Sequence, residues 1–219
     1  QVIYHGSMNQ FYFKKKNFSW QQSQTKDFIV YYQHGSKAEK NLPLVEKKIK
    51  QGIDKARKFT KIDSIKTPIY YFIVDDPEEF NKLTRLNHTG LSYSKSNTII
   101  ESYFLLGEAH EVTHLIAFQK WGNTRTWISE GVSVYSDNTW GGKSLEKICF
   151  ELYQNKKTIP VQNIVKKSKF HSFDSQIIYP QSGSLIKYLI LTYGWDTFLR
   201  FWKKPNLKKI YNITETELE

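Results

Sequence analysis

Hydrophobic residues in the first half of the chain follow the patterns of two buried strands and one amphipathic helix. Residues 27–33 are rich in β-branched and aromatic side chains, so they predict a strand that ends in a turn over residues 34–36. Residues 69–74 form an almost continuous apolar run after Pro68, which predicts a central strand buried on both faces. Between these strands, apolar positions recur at near-helical spacing among lysines and predict a helix over residues 43–60.

The next segment combines a helix start with a polar stretch. Asp76, Pro77 and the glutamates that follow are typical of the cap and first turn of a short helix. A turn is expected over residues 87–90, followed by one or two short strands within residues 92–101. Because this stretch is polar and alternating, we expect it at the edge of the sheet. There, residues 94–101 would bind an extended peptide by adding a strand.

The second half of the chain changes to helical patterns, and Gly194 provides a stop for the last of them. The predicted helices cover residues 105–120, 130–138, 143–153 and 181–193. The sequence shows no internal repeat and no linker long enough to separate two domains. We therefore expect an α+β fold and a single domain over residues 1–219. Its strand-rich N-terminal lobe (1–104) would contain a helix, and its C-terminal lobe (105–219) would be helical.

Composition and charge narrow the class of protein. The 219 residues are 39% hydrophobic and 24% charged, a balance that favours a folded core over disorder. The formal net charge of +11 raises the question of nucleic-acid binding. However, the lysines are spread over several segments without a nucleic-acid-binding motif, so we predict no specific nucleic-acid partner. No apolar run reaches the roughly 18 residues of a membrane-spanning helix, so we expect no transmembrane segment. We also expect the protein to be a monomer.

Cysteine usage and the first residue bear on the metal chemistry and the location. The single cysteine, Cys149, excludes an internal disulfide and a Cys-type zinc finger, so any metal site must use histidines and carboxylates. The chain begins at Gln1 without a charged and apolar leader. This pattern fits either a shortened chain or an exported protein whose signal was removed, and we favour export.

Candidate chemistry is concentrated in residues 110–114, which fit H-E-x-x-H. On a helix, residues four positions apart share a face, so His110 and His114 can direct two imidazoles at one metal ion. Glu111 lies beside them, where it can act on a metal-bound water instead of the metal. The surrounding residues are apolar, so inward-facing histidines and a glutamate would be costly unless they were paired or bound a cation.

A catalytic zinc ion needs a third protein ligand. The metzincin extension is excluded, because Ala117 and Lys120 stand where that motif has Gly and His. Further on, Trp127, Glu130 and Gly131 begin another helical pattern. Together with H-E-x-x-H, this W-x-x-E-G segment resembles the gluzincin metallopeptidases. Within that clan the chain is most similar to the peptidase MA-like domains, small relatives of the aminopeptidase catalytic core found in exported bacterial proteins.

The resemblance implies a gluzincin catalytic domain, similar to thermolysin and to the aminopeptidase core, and a role for individual residues. By its motif, His110, His114 and Glu130 would bind Zn²⁺, and Glu111 would be the general base. Glu130 has a second interpretation as a helix-start carboxylate stabilised by the helix dipole. In the resembling families a tyrosine after the glutamate motif often stabilises the oxyanion, and Tyr179 is the match in this chain. The resemblance also implies a bacterial-type exported protein, either extracellular, periplasmic or associated with the cell envelope.

Three other residues are candidates for supporting roles. His171 and Tyr135 are alternative hydrogen-bond donors to the oxyanion. Asp137 lies seven residues beyond Glu130, two helical turns along the same face. It is either a carboxylate that accepts a hydrogen bond from a ligating histidine or an ordinary exposed helix carboxylate. Some gluzincins place an acid four residues after the ligand, where this chain has Val134.

The sequence thus predicts zinc-dependent hydrolysis of peptide bonds in a peptide or protein substrate. The chain lacks a Gly-x-Met-Glu-Asn signature for gripping a free amino terminus, which favours an endopeptidase. One alternative is a catalytically weak or inactive zinc-binding module that binds peptides or surface polymers. The intact Glu111 argues against it, because loss of the general base is the simplest route to an inactive enzyme. The other alternative, a basic nucleic-acid binder, rests on the net charge alone.

Overall fold

The structure, a computed structural model, describes residues 19–166 and 170–219. The chain forms two compact units, of which the first ends at Leu115 and the second begins at Ile116. This division falls inside one continuous helix, so the helix contributes residues to both units. None of the described helices combines the length and the apolar character needed to span a membrane.

From residue 19 onwards, the first unit is built on a five-stranded mixed sheet. Its strands are β1 (Trp20–Gln24), β2 (Phe28–Gln33), β3 (Ile69–Val74), β4 (Gly90–Tyr93) and β5 (Thr98–Ser102). Their order in the sheet is β1-β2-β3-β5-β4. β2 and β5 run parallel to β3 on its two sides, whereas β1 and β4 pair antiparallel at the edges. All of β3 except Tyr70 is buried, which confirms the prediction of a central strand.

The helices of the first unit follow their sequence signals closely. They are α1 (Lys37–Lys40), α2 (Leu42–Thr60) and α3 (Pro77–Thr84). α2 buries Val45, Ile49 and Ile53 along one face, as the predicted amphipathic pattern requires. At the start of α3, the Asp76 side chain accepts a hydrogen bond of 3.0 Å from the backbone N–H of Glu79. The predicted helix and the predicted helix start are both confirmed.

The prediction that residues 94–101 form the edge of the sheet is wrong. Residues 98–102 belong to β5, which lies between β3 and β4, and every residue of β5 is buried. The edge strand is instead β4, which begins at Gly90. The polar residues of β5 misled the prediction because they are buried in an interior strand, where a polar side chain can find a partner close by in the chain. Thr98, for example, donates a hydrogen bond of 3.2 Å from Oγ1 to the carbonyl oxygen of Ser96.

Helices dominate the rest of the described chain. The helix that crosses the division between the units is α4 (His110–Trp121). The second unit also contains α5 (Thr126–Asp137), α6 (Leu145–Gln154), α7 (Val161–Ile164), α8 (Ser175–Tyr193), α9 (Trp195–Lys203), α10 (Leu207–Tyr211) and α11 (Glu215–Leu218). Two short strands, β6 (Thr139–Trp140) and β7 (Lys143–Ser144), form a hairpin. α8 packs against α5, α6 and α9, so it is the helix around which the second unit is arranged.

Four of these helices begin elsewhere than the sequence predicts, and the smallest difference is at α6, which begins at Leu145 and not at residue 143. α4 begins at His110 and not at residue 105, because Gly107 has a left-handed φ of 97° that interrupts the helical path. α5 begins four residues earlier than expected, at Thr126. α8 begins at Ser175, where the Asp174 side chain accepts a hydrogen bond of 2.9 Å from the backbone N–H of Gln176. The predicted end of α8 at Gly194 is confirmed.

Candidate metal centre

The chain just before α4 is held in place by α2. Lys55 donates a hydrogen bond of 2.9 Å from Nζ to the carbonyl oxygen of Gly107. At Gly52 the two segments touch directly, because a Cβ there would lie 2.5 Å from the carbonyl oxygen of Glu108. Real Cβ atoms do not approach other heavy atoms so closely. Gly52 therefore allows the contact that fixes where α4 starts, and the sequence pattern of α2 gave no sign of it.

His110 and His114 lie one helical turn apart on the same face of α4, as their spacing predicts. Their Nε2 atoms are 3.2 Å apart, and their rings meet at 74°. Two zinc–nitrogen bonds of about 2.0–2.1 Å at a tetrahedral angle would place the ligand nitrogens roughly 3.3 Å apart. The two imidazoles therefore have a spacing that suits one shared ion.

Glu130 completes a group of three potential ligands. One ligand atom from each of His110, His114 and Glu130 lies within 4.8 Å of the other two, and all three residues are half-buried. Across residues 19–166 and 170–219, this is the one group of three or more such side chains with metal-binding spacing. Two imidazole nitrogens and one carboxylate oxygen are a typical donor set of catalytic zinc, with a fourth position left for water. The residues present therefore fit a zinc ion.

The neighbours of Glu130 explain how α5 presents this carboxylate. Trp127 is 2% exposed, and its ring packs edge-on against Phe201 at 5.9 Å. Gly131 lies directly against α8, where a Cβ would come within 2.6 Å of the carbonyl oxygen of Ser182. The tryptophan and the glycine of the W-x-x-E-G segment are therefore packing residues, and the glutamate between them is the proposed ligand. Glu130 lies in the second turn of α5, so its interpretation as a helix-start carboxylate is wrong.

Glu111 occupies the second position of α4, and its side chain reaches the edge strand of the sheet. A Cβ on Gly90, the first residue of β4, would lie 2.7 Å from Oε1 of Glu111. It would also lie 3.3 Å from both Cγ and Cδ of that side chain. Glu111 therefore rests against the backbone of β4, a contact that the sequence did not reveal. In the sequence, the feature that could have indicated this contact is the glycine at position 90, next to a predicted polar strand.

Tyr71 adds a buried phenol to the surroundings of Glu111. It lies on the central strand β3, and burial raises its pKa well above the usual value. The charges of Glu101 and Glu111 raise the pKa of Tyr71 further. Tyr71 is therefore a neutral neighbour of these carboxylates throughout the neutral pH range, and it adds no charge beside the proposed base.

The comparison with known families agrees with this geometry. Residues 50–209 match the Peptidase MA superfamily, a match that covers well over half of the chain. The chain belongs to this superfamily. The matched range begins within α2 and ends within α10, so it contains the three clustered side chains and Glu111. Membership of the peptidase MA superfamily supports a function of the zinc metallopeptidase type. A search of curated proteins found no similar sequence.

The structure places Tyr179 inside α8, whereas the sequence predicted it just before a helix that starts at residue 181. This part of the prediction is wrong, because the cap at Asp174 starts the helix earlier. The Tyr179 ring stacks on Trp140 at 4.8 Å and 13° and meets the Phe170 ring edge-on at 5.3 Å. Its role at the oxyanion of a peptidase MA protein stays a prediction.

The remaining candidates are spread over the second unit. His171 is exposed and lies edge-on to Phe170, with ring centroids 5.3 Å apart. Tyr135 lies on α5, and Nζ of Lys187 is 5.6 Å from the centre of its ring. Asp137 is the last residue of α5 and is half-buried. The proposed roles of these three residues in a peptidase MA site stay predictions.

Proposed function

We propose that this protein is a gluzincin-type zinc peptidase that hydrolyses internal peptide bonds of peptide or protein substrates. The observation that carries the proposal is the close grouping of His110, His114 and Glu130, with Glu111 next to the first of them. A zinc ion bound there would supply a Lewis acid that polarises a carbonyl and lowers the pKa of a coordinated water to about 7.

Metal binding, proton transfer and stabilisation of the oxyanion are assigned to different residues of the protein. His110, His114 and Glu130 would hold the ion, so Glu111 would not be needed as a ligand. Glu111 accepts a proton from the attacking water and later delivers it to the leaving amine. This requires its carboxylate within hydrogen-bond reach of the water, roughly 2.6–3.2 Å. Tyr179 is our candidate for the hydrogen bond that stabilises the oxyanion as it forms.

The edge strand supports an endopeptidase. β4 is the last strand in the order of the sheet, and its first residue, Gly90, lies against Glu111. An extended peptide that pairs with β4 would run past the general base and continue on both sides of it. Such pairing uses the peptide backbone and does not need a free amino terminus. It is compatible with the missing signature for gripping an amino terminus.

A comparison of the parent protein with Glu111→Gln tests the proposal. Both proteins are loaded with zinc and incubated with peptides whose termini are either free or blocked. We expect the parent to cleave blocked peptides internally. Glu111→Gln should keep one zinc ion and lose about a hundredfold or more in rate, because it removes only the base. Glu78→Gln, the same change on an exposed carboxylate of α3, is the matched control and should stay active.

Other outcomes would point to other functions. Release of single residues from free amino termini, with blocked peptides left intact, would contradict the endopeptidase. A parent protein that binds zinc but cleaves no peptide would contradict the peptidase altogether. It would favour the zinc-binding module that the sequence leaves as an alternative.

A further inference from the structure

We propose that Gly90 is a positioning residue that sets where the Glu111 carboxylate lies. The proposal rests on the proposed function of Glu111 as general base. The missing side chain at Gly90 leaves room for a carboxylate oxygen that would otherwise lie 2.7 Å from a Cβ atom. A non-bonded carbon and oxygen need well over 3 Å, so any other residue at this position would displace Glu111.

The backbone conformation of β4 does not require a glycine. Gly35 and Gly107 have positive φ angles that favour glycine, whereas Gly90 does not. Glycine is also unfavourable within a strand, where it commonly marks a close approach of another group. The close approach here is the Glu111 side chain. Space for that side chain, and not backbone geometry, therefore accounts for the glycine.

The backbone on either side of this contact is held in place. Gly90 pairs with Glu101 of the buried strand β5, and the backbone N–H of Ser102 donates a hydrogen bond of 2.8 Å to the carbonyl oxygen of Thr89. On the helix side, α2 fixes the segment just before His110. If a methyl group is added at Gly90, the easiest movement is therefore a swing of the flexible Glu111 side chain.

A methyl group at Gly90 should therefore affect folding and catalysis to different degrees. The atom that a new Cβ would meet is the free end of a flexible side chain, so Gly90→Ala should alter the unfolding midpoint little. General base catalysis is far more sensitive, because a misplacement of about 1 Å can cost about a hundredfold in rate. Zinc binding should be little affected, because the three heavy atoms nearest to the added methyl group all belong to Glu111 and not to a proposed ligand.

Four proteins test the proposal: the parent, Gly90→Ala, Glu111→Asp and the double variant. Gly90→Ala should keep one zinc ion and lower kcat by about 10- to 100-fold, with KM within about twofold of the parent. The aspartate of Glu111→Asp is one methylene shorter, so it lacks the oxygen that would lie 2.7 Å from the new methyl group and keeps only the longer contacts of about 3.3 Å. In that background, Gly90→Ala should change kcat by less than about threefold, so the two effects are non-additive.

A second readout is independent of activity. In crystals of the metal-free proteins, the Glu111 carboxylate of Gly90→Ala should be displaced while the backbone of β4 stays in place. An unmoved carboxylate, or equal losses of kcat from Gly90→Ala in both backgrounds, would overturn the proposal. If the zinc-loaded parent cleaves no peptide, the peptidase function fails. The crystals then still decide whether Gly90 positions Glu111.

Discussion

Gly131 lies so close to Ser182 that a Cβ on the glycine would come within 2.6 Å of the serine's carbonyl oxygen. The same Cβ would lie 2.6 Å from Cγ1 of Ile186. The backbones of α5 and α8 therefore touch one residue away from Glu130. This explains why a glycine follows the proposed zinc ligand, because any larger residue would push α5, and Glu130 with it, away from α8.

Gly131→Ala should lower the free energy of unfolding by about 1–3 kcal/mol, because the backbone atoms that it meets cannot easily move. It should also weaken zinc binding, since Glu130 is the preceding residue. Urea unfolding of the metal-free protein and a competition titration with a zinc chelator measure the two effects. Ser129→Ala, on the other side of Glu130, adds no atoms and is the control. An unchanged unfolding midpoint in Gly131→Ala would refute the packing argument.

Removal of any proposed ligand should abolish stoichiometric zinc binding. After zinc loading and dialysis, elemental analysis should find about one zinc ion per chain in the parent. His110→Ala, His114→Ala and Glu130→Ala should each retain only a small fraction of it, because two ligands rarely hold a zinc ion. His88→Ala, which removes an exposed histidine outside the group, should bind zinc like the parent. A parent protein that resists zinc loading would rule out the site.

Tyr179→Phe should lower kcat by about a hundredfold and leave KM nearly unchanged, because a hydrogen bond to the oxyanion strengthens only in the transition state. Phenylalanine keeps the ring that stacks on Trp140, so packing should be preserved. Steady-state kinetics on one blocked peptide measures both constants. If only KM changes, the role passes to His171 or Tyr135, and the phenylalanine variant of Tyr135 becomes the next measurement.

The ion pair between Glu146 and Lys187 should make stability depend on pH in the acid range. The hydrogen bond from Lys187 is the main cause that lowers the pKa of Glu146 from 4.5 to about 2. The folded state therefore gains stability from this pair above about pH 4.5 and loses it as the pH falls towards 2. Solvent and salt screen the pair, because the Glu146 side chain is 56% exposed.

The variant Glu146→Gln isolates this contribution. Its difference in unfolding free energy from the parent should be small near neutral pH and should shrink further between pH 4.5 and 2. Added salt should reduce the difference as well. Urea unfolding at several pH values gives the comparison. A difference that grows as the pH falls would contradict the assignment.

Elements with strong local signals could be predicted from the sequence. β3 is apolar on both faces, and Pro77 after Asp76 marks the start of α3, so both follow from short-range patterns. The spacing of His110 and His114 likewise places two rings on one helix face, and the structure brings them together. The family was also evident from the motifs. Export, the single domain and the monomeric state stay predictions.

Features that depend on contacts between distant segments could not be predicted. Gly52, Gly90 and Gly131 each allow a close approach by a residue far away in the sequence, and a glycine alone does not reveal its neighbour. β5 was misplaced for a related reason, because its interior place depends on pairing with β3 on one side and β4 on the other, which its polar pattern does not show. The early start of α8 depends on the cap at Asp174, which the helical periodicity does not contain.

The position of β4 at the edge of the sheet has a consequence for the behaviour of the protein at high concentration. If β4 must accept a substrate strand, it also offers its backbone to the strand of another molecule and so favours aggregation. The short length of β4, four residues, limits how many hydrogen bonds such a contact can make. The net charge of +11 adds repulsion between molecules. Colloidal stability should therefore be best at low ionic strength, where this repulsion is least screened.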